Sequence, residues 1–145
     1  MGFSAVLKEA APKQTKPWIA ITWFAVWGSF QLYAVISFLA GTWTRPEAFP
    51  EEAYNALVYP DMFFIPLYFS ASVLLLRVHY LGKTIGLIAG GAMVYVLIYL
   101  LALSGLQGAI NLSFDTAFLV ADIFAVAQLV QMERVRASTR IFAQE

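Results

Sequence analysis

The chain has 145 residues, of which 61% are hydrophobic and 12% are charged, and its formal net charge is zero. Soluble domains carry about 25% charged residues, so this composition provides too little polar surface to cover a soluble fold. The few basic residues disfavour nucleic-acid binding, and the lack of cysteine excludes disulfides, iron–sulfur clusters and thiol catalysis.

Four long apolar runs follow one another along the chain. A hydrocarbon core of about 30 Å requires about 20 helical residues, and none of the runs shows the alternation of a transmembrane barrel strand. We therefore predict an all-α integral membrane protein, an antiparallel bundle of four transmembrane helices that forms a single domain over residues 1–145. The predicted spans cover about 18–43, 60–78, 84–104 and 109–132.

The positive charges are distributed unevenly among the connections. Eight of the nine Lys and Arg residues lie before the first span, around the loop between the second and third spans, or after the fourth, and only Arg45 lies in the first loop. Because loops rich in Lys and Arg stay on the cytoplasmic side, we predict a multi-pass protein of the cell membrane with both termini cytoplasmic. Residues 1–16 and 133–145 are then cytoplasmic tails.

The first outer loop, residues 44–58, is the longest connection between spans. Pro50 is followed by Glu51 and Glu52, and proline with acidic residues in the first turn is typical of a helix start. We expect a short amphipathic helix on the outer membrane interface, and the alternative is a solvated acidic loop.

The third predicted span begins with small residues at four-residue spacing, Gly82, Gly86 and Gly90. In a membrane, such a pattern allows another helix to approach closely. The pattern does not distinguish a helix of the same chain from a second copy, but the short loop before it favours an internal partner.

Two carboxyl side chains, Asp115 and Asp122, lie inside the fourth predicted span. Their spacing is two helical turns, so both side chains face the same way, about 10 Å apart. Asn111 lies one turn before Asp115 and extends this polar stripe towards the outside. An ionisable residue at membrane depth is costly and is by default a hypothesis of function.

Counting about 1.5 Å per helical residue from the ends of each span estimates depth in the membrane. By this count Asp122 lies near the midplane, and Gln31 of the first span and Tyr95 of the third lie at a similar depth. We therefore predict one polar layer that contains these three side chains.

A second polar layer is predicted in the outer half of the membrane. Asp115 falls there at the depth of Tyr68 and Tyr99, and Asp61 would lie at the outer mouth of both layers. The candidate ligand-binding residues are therefore Asp122, Asp115, Asn111, Gln31, Tyr68, Tyr95, Tyr99 and Asp61.

No Lys, Arg or His lies at these depths in any predicted span. A buried carboxyl group without a neighbouring cation tends to remain protonated. Asp122 is then protonated, hydrated from an outward-open cavity, or paired with a bound cation, a cationic ligand or a basic residue of another chain. The single histidine, His79, is interpreted as an interfacial residue, so the sequence predicts no metal site and identifies no cofactor.

Three functions remain open at this point. The first is a binding or transport module whose intramembrane carboxyl groups hold a proton, a cation or a cationic or lipophilic small ligand. The second is an isomerase- or cyclase-like membrane enzyme acting on a lipophilic substrate, with catalytic candidates Asp122, Asp115, Tyr95 and Tyr99. The third is an accessory subunit of a larger membrane complex. The expected partners are the lipid bilayer, such a ligand, and either a second copy in a homo-oligomer or a partner membrane subunit.

Overall fold

The computed structural model describes residues 16–45, 47, 50–56, 58–103 and 109–142, with the side chains of 109–111 and 133–142 left outside the description. Within these residues the secondary structure is helical, with no strand. The helices are α1 (Trp18–Leu39), α2 (Glu51–Ala56), α3 (Val58–Leu76), α4 (Tyr80–Ala102) and α5 (Ala109–Phe142).

Four helical segments of the described chain are long and apolar enough to cross a membrane. This confirms the prediction of an all-helical protein with four candidate membrane spans. The short helix predicted after Pro50 is also present as α2, with Glu51 and Glu52 in its first turn. The four candidate spans are Trp18–Leu39, Glu51–Leu76, Tyr80–Ala102 and Leu112–Met132.

Helix α1 ends at Leu39, before the predicted boundary near residue 43, because the chain turns at Gly41. Gly41 adopts a φ of +70°, a conformation that glycine adopts without a steric penalty. Its N–H donates to the Phe38 carbonyl, and the N–H of Thr42 donates to the Ser37 carbonyl at 2.9 Å. These two bonds form a Schellman motif, which satisfies the last carbonyl groups of the helix.

Helix α3 ends in the same motif, but with valine in the position that usually holds glycine. Val78 has a φ of +55°, its N–H donates to the Leu75 carbonyl, and the N–H of His79 donates to the Leu74 carbonyl at 2.9 Å. A β-branched residue in this region is strained. The turn is therefore tight enough to bring α4 directly back against α3.

Helix α4 begins at Tyr80, earlier than the predicted start near residue 84, because His79 caps it. The Nδ1 atom of His79 accepts a hydrogen bond from the Leu81 N–H at 3.3 Å. The last helix, α5, continues beyond the predicted limit of 132 to Phe142.

The four long helices pack in a closed ring, in which α1 and α4 each contact both α3 and α5. Two side-chain bonds link α1 to its neighbours near its first turn. The Gln128 Oε1 atom accepts from the Ala20 N–H at 3.1 Å, which satisfies one of the free N–H groups at a helix start. The Ser72 hydroxyl donates to the Ile21 carbonyl at 2.9 Å. The centre of the bundle is filled by Phe24, Tyr68, Met93, Leu97 and Leu129.

Gly82, Gly86 and Gly90 of α4 face the interior, as their spacing predicts. A Cβ atom at Gly82 would lie 2.8 Å from the backbone carbonyl carbon of Leu74 in α3, and one at Gly86 would lie 2.8 Å from Leu129 Cδ1 in α5. A Cβ atom at Gly90 would overlap the side chain of Val126. The glycine face therefore packs against helices of the same chain.

Candidate intramembrane carboxyl site

Asp122 is a fully buried carboxyl group, with 0% of its surface exposed. The indole Nε1–H of Trp23, on α1, donates to its Oδ1 atom at 2.9 Å. Its Oδ2 atom is buried and has no hydrogen-bond partner. Gly90 of α4 lies next to the carboxyl group, since a Cβ atom there would be in ordinary van der Waals contact with Oδ1 at 3.8 Å.

Asp115 lies two turns before Asp122 on α5 and is also buried, with 8% of its surface exposed. Its Oδ2 atom has no hydrogen-bond partner. Both carboxyl groups thus face the protein interior, as expected from their shared helical face. Asn111, which was predicted to extend this stripe, has its side chain outside the described residues.

Aromatic rings line the seam between α1 and α5 beside the two carboxyl groups. Trp23 and Trp27 stack with their ring centroids 5.8 Å apart. Phe118 of α5 lies edge-on to Trp27, at a centroid distance of 5.0 Å. Aromatic faces attract cations, so this wall suits a positively charged ligand better than an anion.

Tyr68 lies in the core beside this wall, with 0% of its surface exposed. It stacks on Phe24 at a centroid distance of 6.3 Å, and it is close enough to interact electrostatically with Asp122 and, more weakly, with Asp61. Trp27 is its neighbour, yet neither the Tyr68 hydroxyl nor the Trp27 Nε1–H has a partner with hydrogen-bond geometry. The interior therefore holds unpaired donors as well as unpaired acceptors.

Gln31 does not share a layer with Asp122, contrary to the depth count. Its Nε2–H donates to the Oδ1 atom of Asp61 at 2.9 Å, and its own Oε1 atom is buried without a partner. Asp122 instead lies at the level of Trp23, much nearer the start of α1. Part of the error in the depth count is the assumed end of α1 near residue 43: α1 ends at Leu39, so its midpoint lies before Gln31.

Tyr95 and Tyr99 of α4 also do not lie in the polar layers that were predicted to contain them. Tyr95 is 73% exposed and Tyr99 is 45% exposed, so both face away from the buried carboxyl groups. The interior face of α4 carries Gly90, Met93 and Leu97. Residues two positions away from that face are rotated by about 200° around the helix axis, which places both tyrosines outside.

Two donors of the site, Trp23 and Trp27, were missed by the reasoning from sequence. Tryptophan counts as apolar in a hydropathy scan, although its indole N–H is a strong donor that usually has a partner when buried. Their spacing of one helical turn was the available signal, because it places both indoles on one face of α1.

The basic side chains that the structure describes lie in loops or in the first turn of α4. In the same part of the chain, no group of three His, Asp or Glu side chains is arranged to hold a metal ion. The residues concerned are Lys16, Arg45, Arg77, His79 and Lys83.

No protein-family model, curated protein or solved structure matches the chain. The chemistry of the side chains themselves then defines what the site can bind. Carboxyl and phenol oxygens accept hydrogen bonds from ammonium groups and coordinate hard cations, and the aromatic wall adds a further preference for positive charge.

Proposed function

We propose that this chain is a membrane-embedded binding or transport module in which Asp122, assisted by Asp115, binds a proton, a cation or a cationic lipophilic ligand. The supporting observation is the state of Asp122, a fully buried carboxyl group with one hydrogen bond and one unpaired oxygen. A buried polar atom without a partner costs about 1–3 kcal/mol. Two such carboxyl oxygens in one small bundle are better explained by binding than by packing.

The ligand class follows from charge. An anion would meet two carboxyl groups and no described cation at this depth, whereas a proton or a cation would neutralise the site. An acid–base enzyme remains the alternative, but the tyrosines expected to assist it, Tyr95 and Tyr99, are exposed. The binding function therefore has the stronger support.

The membrane topology belongs to the same proposal. Ala20 of α1 contacts Gln128, and further along α1, Trp27 contacts Phe118. Rising numbers on one helix thus meet falling numbers on the other, which supports an antiparallel bundle. With the bias of Lys and Arg, this supports a multi-pass protein of the cell membrane with both termini in the cytoplasm.

The test is an infrared titration of the purified protein in neutral detergent. A protonated carboxyl group absorbs separately from a carboxylate, so its band reports ionisation directly. Sodium, potassium, methylamine and tetramethylammonium are the probes. At least one of them should abolish part of this band in the native protein, because a cation bound at the site favours the carboxylate form.

Asp122→Asn should abolish this response, since it removes the ionisable proton and keeps the size of the side chain. Asp115→Asn should weaken it. Glu51→Gln is the matched control, because it makes the same acid-to-amide change on the exposed helix α2. A native protein whose carboxyl band changes neither with any probe nor with pH, or an Asp122→Asn protein with the native response, would contradict the proposal.

A further inference from the structure

A groove of about 420 Å³ lies on the outside of the bundle between α1 and α5. Ile19, Val26 and Phe124 in its walls are each more than half exposed, so the groove opens towards the surroundings of the bundle, which in a membrane are lipid chains. Five of its six lining residues are apolar. They are Ile19, Thr22, Trp23, Val26, Ala121 and Phe124.

Trp23 connects this groove with the buried carboxyl site. Its ring lines the groove, while its Nε1–H donates to Asp122 on the interior side. Ala121, which precedes Asp122 in the sequence, lines the same groove. The same indole ring therefore contacts both a lipid-facing apolar groove and a buried carboxyl group, whose Oδ2 atom has no partner.

We propose that the groove is a lateral entrance for a lipophilic amine, an alkyl chain with an ammonium head, which arrives from the bilayer. The chain lies along the groove and the head binds Asp122. This inference rests on the proposed function and specifies its ligand. It also makes Trp23 a positioning residue, whose ring must turn to admit the head.

Charge complementarity selects an amine over other membrane lipids. An ammonium head has three donors, enough to take over the bond that Trp23 makes to Oδ1 and to satisfy the unpaired Oδ2. The faces of Trp23 and Trp27 attract the same cation. A fatty acid would place a second carboxyl group beside Asp122, and a fatty alcohol would bring no charge to compensate it.

The alkyl chain raises the local concentration of the amine more than it adds contact energy in the groove. Lipid tails are as apolar as the groove, so the chain gains little free energy when it moves from bilayer to protein. The bilayer nevertheless concentrates an amphipathic amine at the level of the groove. A small amine without a chain lacks this advantage and has to reach Asp122 from water.

The experiment uses the full chain in nanodiscs of phosphatidylcholine, with the infrared carboxyl band as the readout. Dodecylamine is compared with dodecanol, which has the chain without the charge, and with methylamine, which has the charge without the chain. Dodecylamine should half-saturate the response at a concentration at least about tenfold lower than methylamine. Dodecanol should give no response.

Two matched valine substitutions test the groove itself. Val26→Trp fills the groove, and we expect it to raise the half-saturating concentration of dodecylamine about tenfold or more without changing that of methylamine. Val73→Trp adds the same bulk to an exposed position on α3 outside the groove and should change neither. If Val26→Trp does not fold, Ala121→Leu provides a smaller obstruction of the same groove.

The outcomes separate this inference from the proposed function. If both amines act through Asp122 with equal affinity, and filling the groove changes nothing, the lateral entrance is wrong and the carboxyl site stands. If dodecylamine loses its response in Val26→Trp and in Asp122→Asn but keeps it in Val73→Trp, the entrance is supported. If dodecylamine acts equally on native and Asp122→Asn protein, both proposals fail.

Discussion

The indole N–H of Trp23 donates a 2.9 Å hydrogen bond to the Oδ1 atom of Asp122, across 99 residues of sequence. The bond joins α1 to α5, and within the described residues it is accompanied by an unpaired oxygen on the same carboxyl group. In a membrane interior, the alternative to such a bond is an indole and a carboxyl group without any partner, because lipid chains offer none.

Substituting Trp23 and Asp122 singly and together should therefore measure how much their hydrogen bond contributes to stability. Trp23→Phe keeps most of the ring but removes the donor, and Asp122→Leu removes the acceptor. Trp23→Phe should lower the free energy of unfolding, and the combination with Asp122→Leu should be more stable than the sum of the two single changes predicts. The expected coupling is about 0.6 kcal/mol and at most about 1.7 kcal/mol, the range for hydrogen bonds between membrane helices.

The coupling is measured by unfolding the protein with an increasing fraction of denaturing detergent in mixed micelles. Trp18→Phe, at an exposed position on the same helix, controls for the loss of an indole in general. Strict additivity of the two substitutions would show that the bond contributes nothing to stability.

The glycine face of α4 makes a prediction about close packing. Gly82→Ala should destabilise the protein by about 1–3 kcal/mol, because the new Cβ atom would lie 2.8 Å from the backbone of Leu74, which has little freedom to move. Gly91→Ala is the control, since a Cβ atom at Gly91 would have no neighbour within 4 Å. Thermal unfolding in detergent distinguishes them, and equal effects would contradict the packing of α4 on α3.

These two predictions show what the sequence could and could not indicate. The spacing of Gly82, Gly86 and Gly90 predicted the buried face of α4, because helical periodicity is a local property. The same periodicity could have excluded Tyr95 from that face. A depth count ignores rotation about the helix axis, so it placed Tyr95 at a plausible level on the wrong side.

Some helix ends can be predicted from the sequence and others cannot. Gly41 predicts the end of α1, because a Schellman motif usually requires glycine. The same motif at Val78 carries no such signal, and the continuation of α5 through polar residues after 132 leaves no trace in hydropathy. The bond between Trp23 and Asp122 was equally hidden, since it depends on how two distant helices meet.

The two Schellman motifs provide a matched prediction about backbone strain. Gly41→Ala should lower the free energy of unfolding by about 1 kcal/mol, because a positive φ is costly for any residue with a Cβ atom. Val78→Gly should raise the free energy of unfolding by about 0.5–1 kcal/mol. Glycine relieves the backbone strain at this positive φ, and the greater flexibility of glycine in the unfolded chain offsets part of that gain. Detergent unfolding measures both, and shifts of the same sign would contradict the positive φ at Val78.

The proposed topology is tested by placing reporters in the membrane of living cells. Tags at either terminus and between His79 and Lys83 should give cytoplasmic signals, whereas tags near Glu51 and Gln107 should give external signals. The reason is the concentration of Lys and Arg before the first span, between the second and third spans and after the fourth. A cytoplasmic signal from a tag near Glu51 would show that the bundle has the opposite orientation to the one proposed.

The last prediction concerns the sign of a stability change at Asp122. If the carboxyl group is kept for binding, an apolar replacement should relieve the cost of its unpaired oxygen. The double variant Asp122→Leu, Trp23→Phe removes that oxygen together with the indole donor, so neither group is left unpaired. We expect it to be at least as stable as the native protein, by up to about 2 kcal/mol, while its infrared response to amines is lost.

Asp122→Asn provides the comparison, because its side-chain carbonyl still accepts from Trp23 and only the ionisable proton is removed. Its stability should remain within about 1 kcal/mol of the native value, again without the response. A packing role for Asp122 predicts the opposite pattern, in which the apolar double variant loses several kcal/mol, as large changes in a tightly packed core do. Unfolding in mixed micelles, combined with the carboxyl band of the same samples, distinguishes a carboxyl group that binds a ligand from one that stabilises the packing of its neighbours.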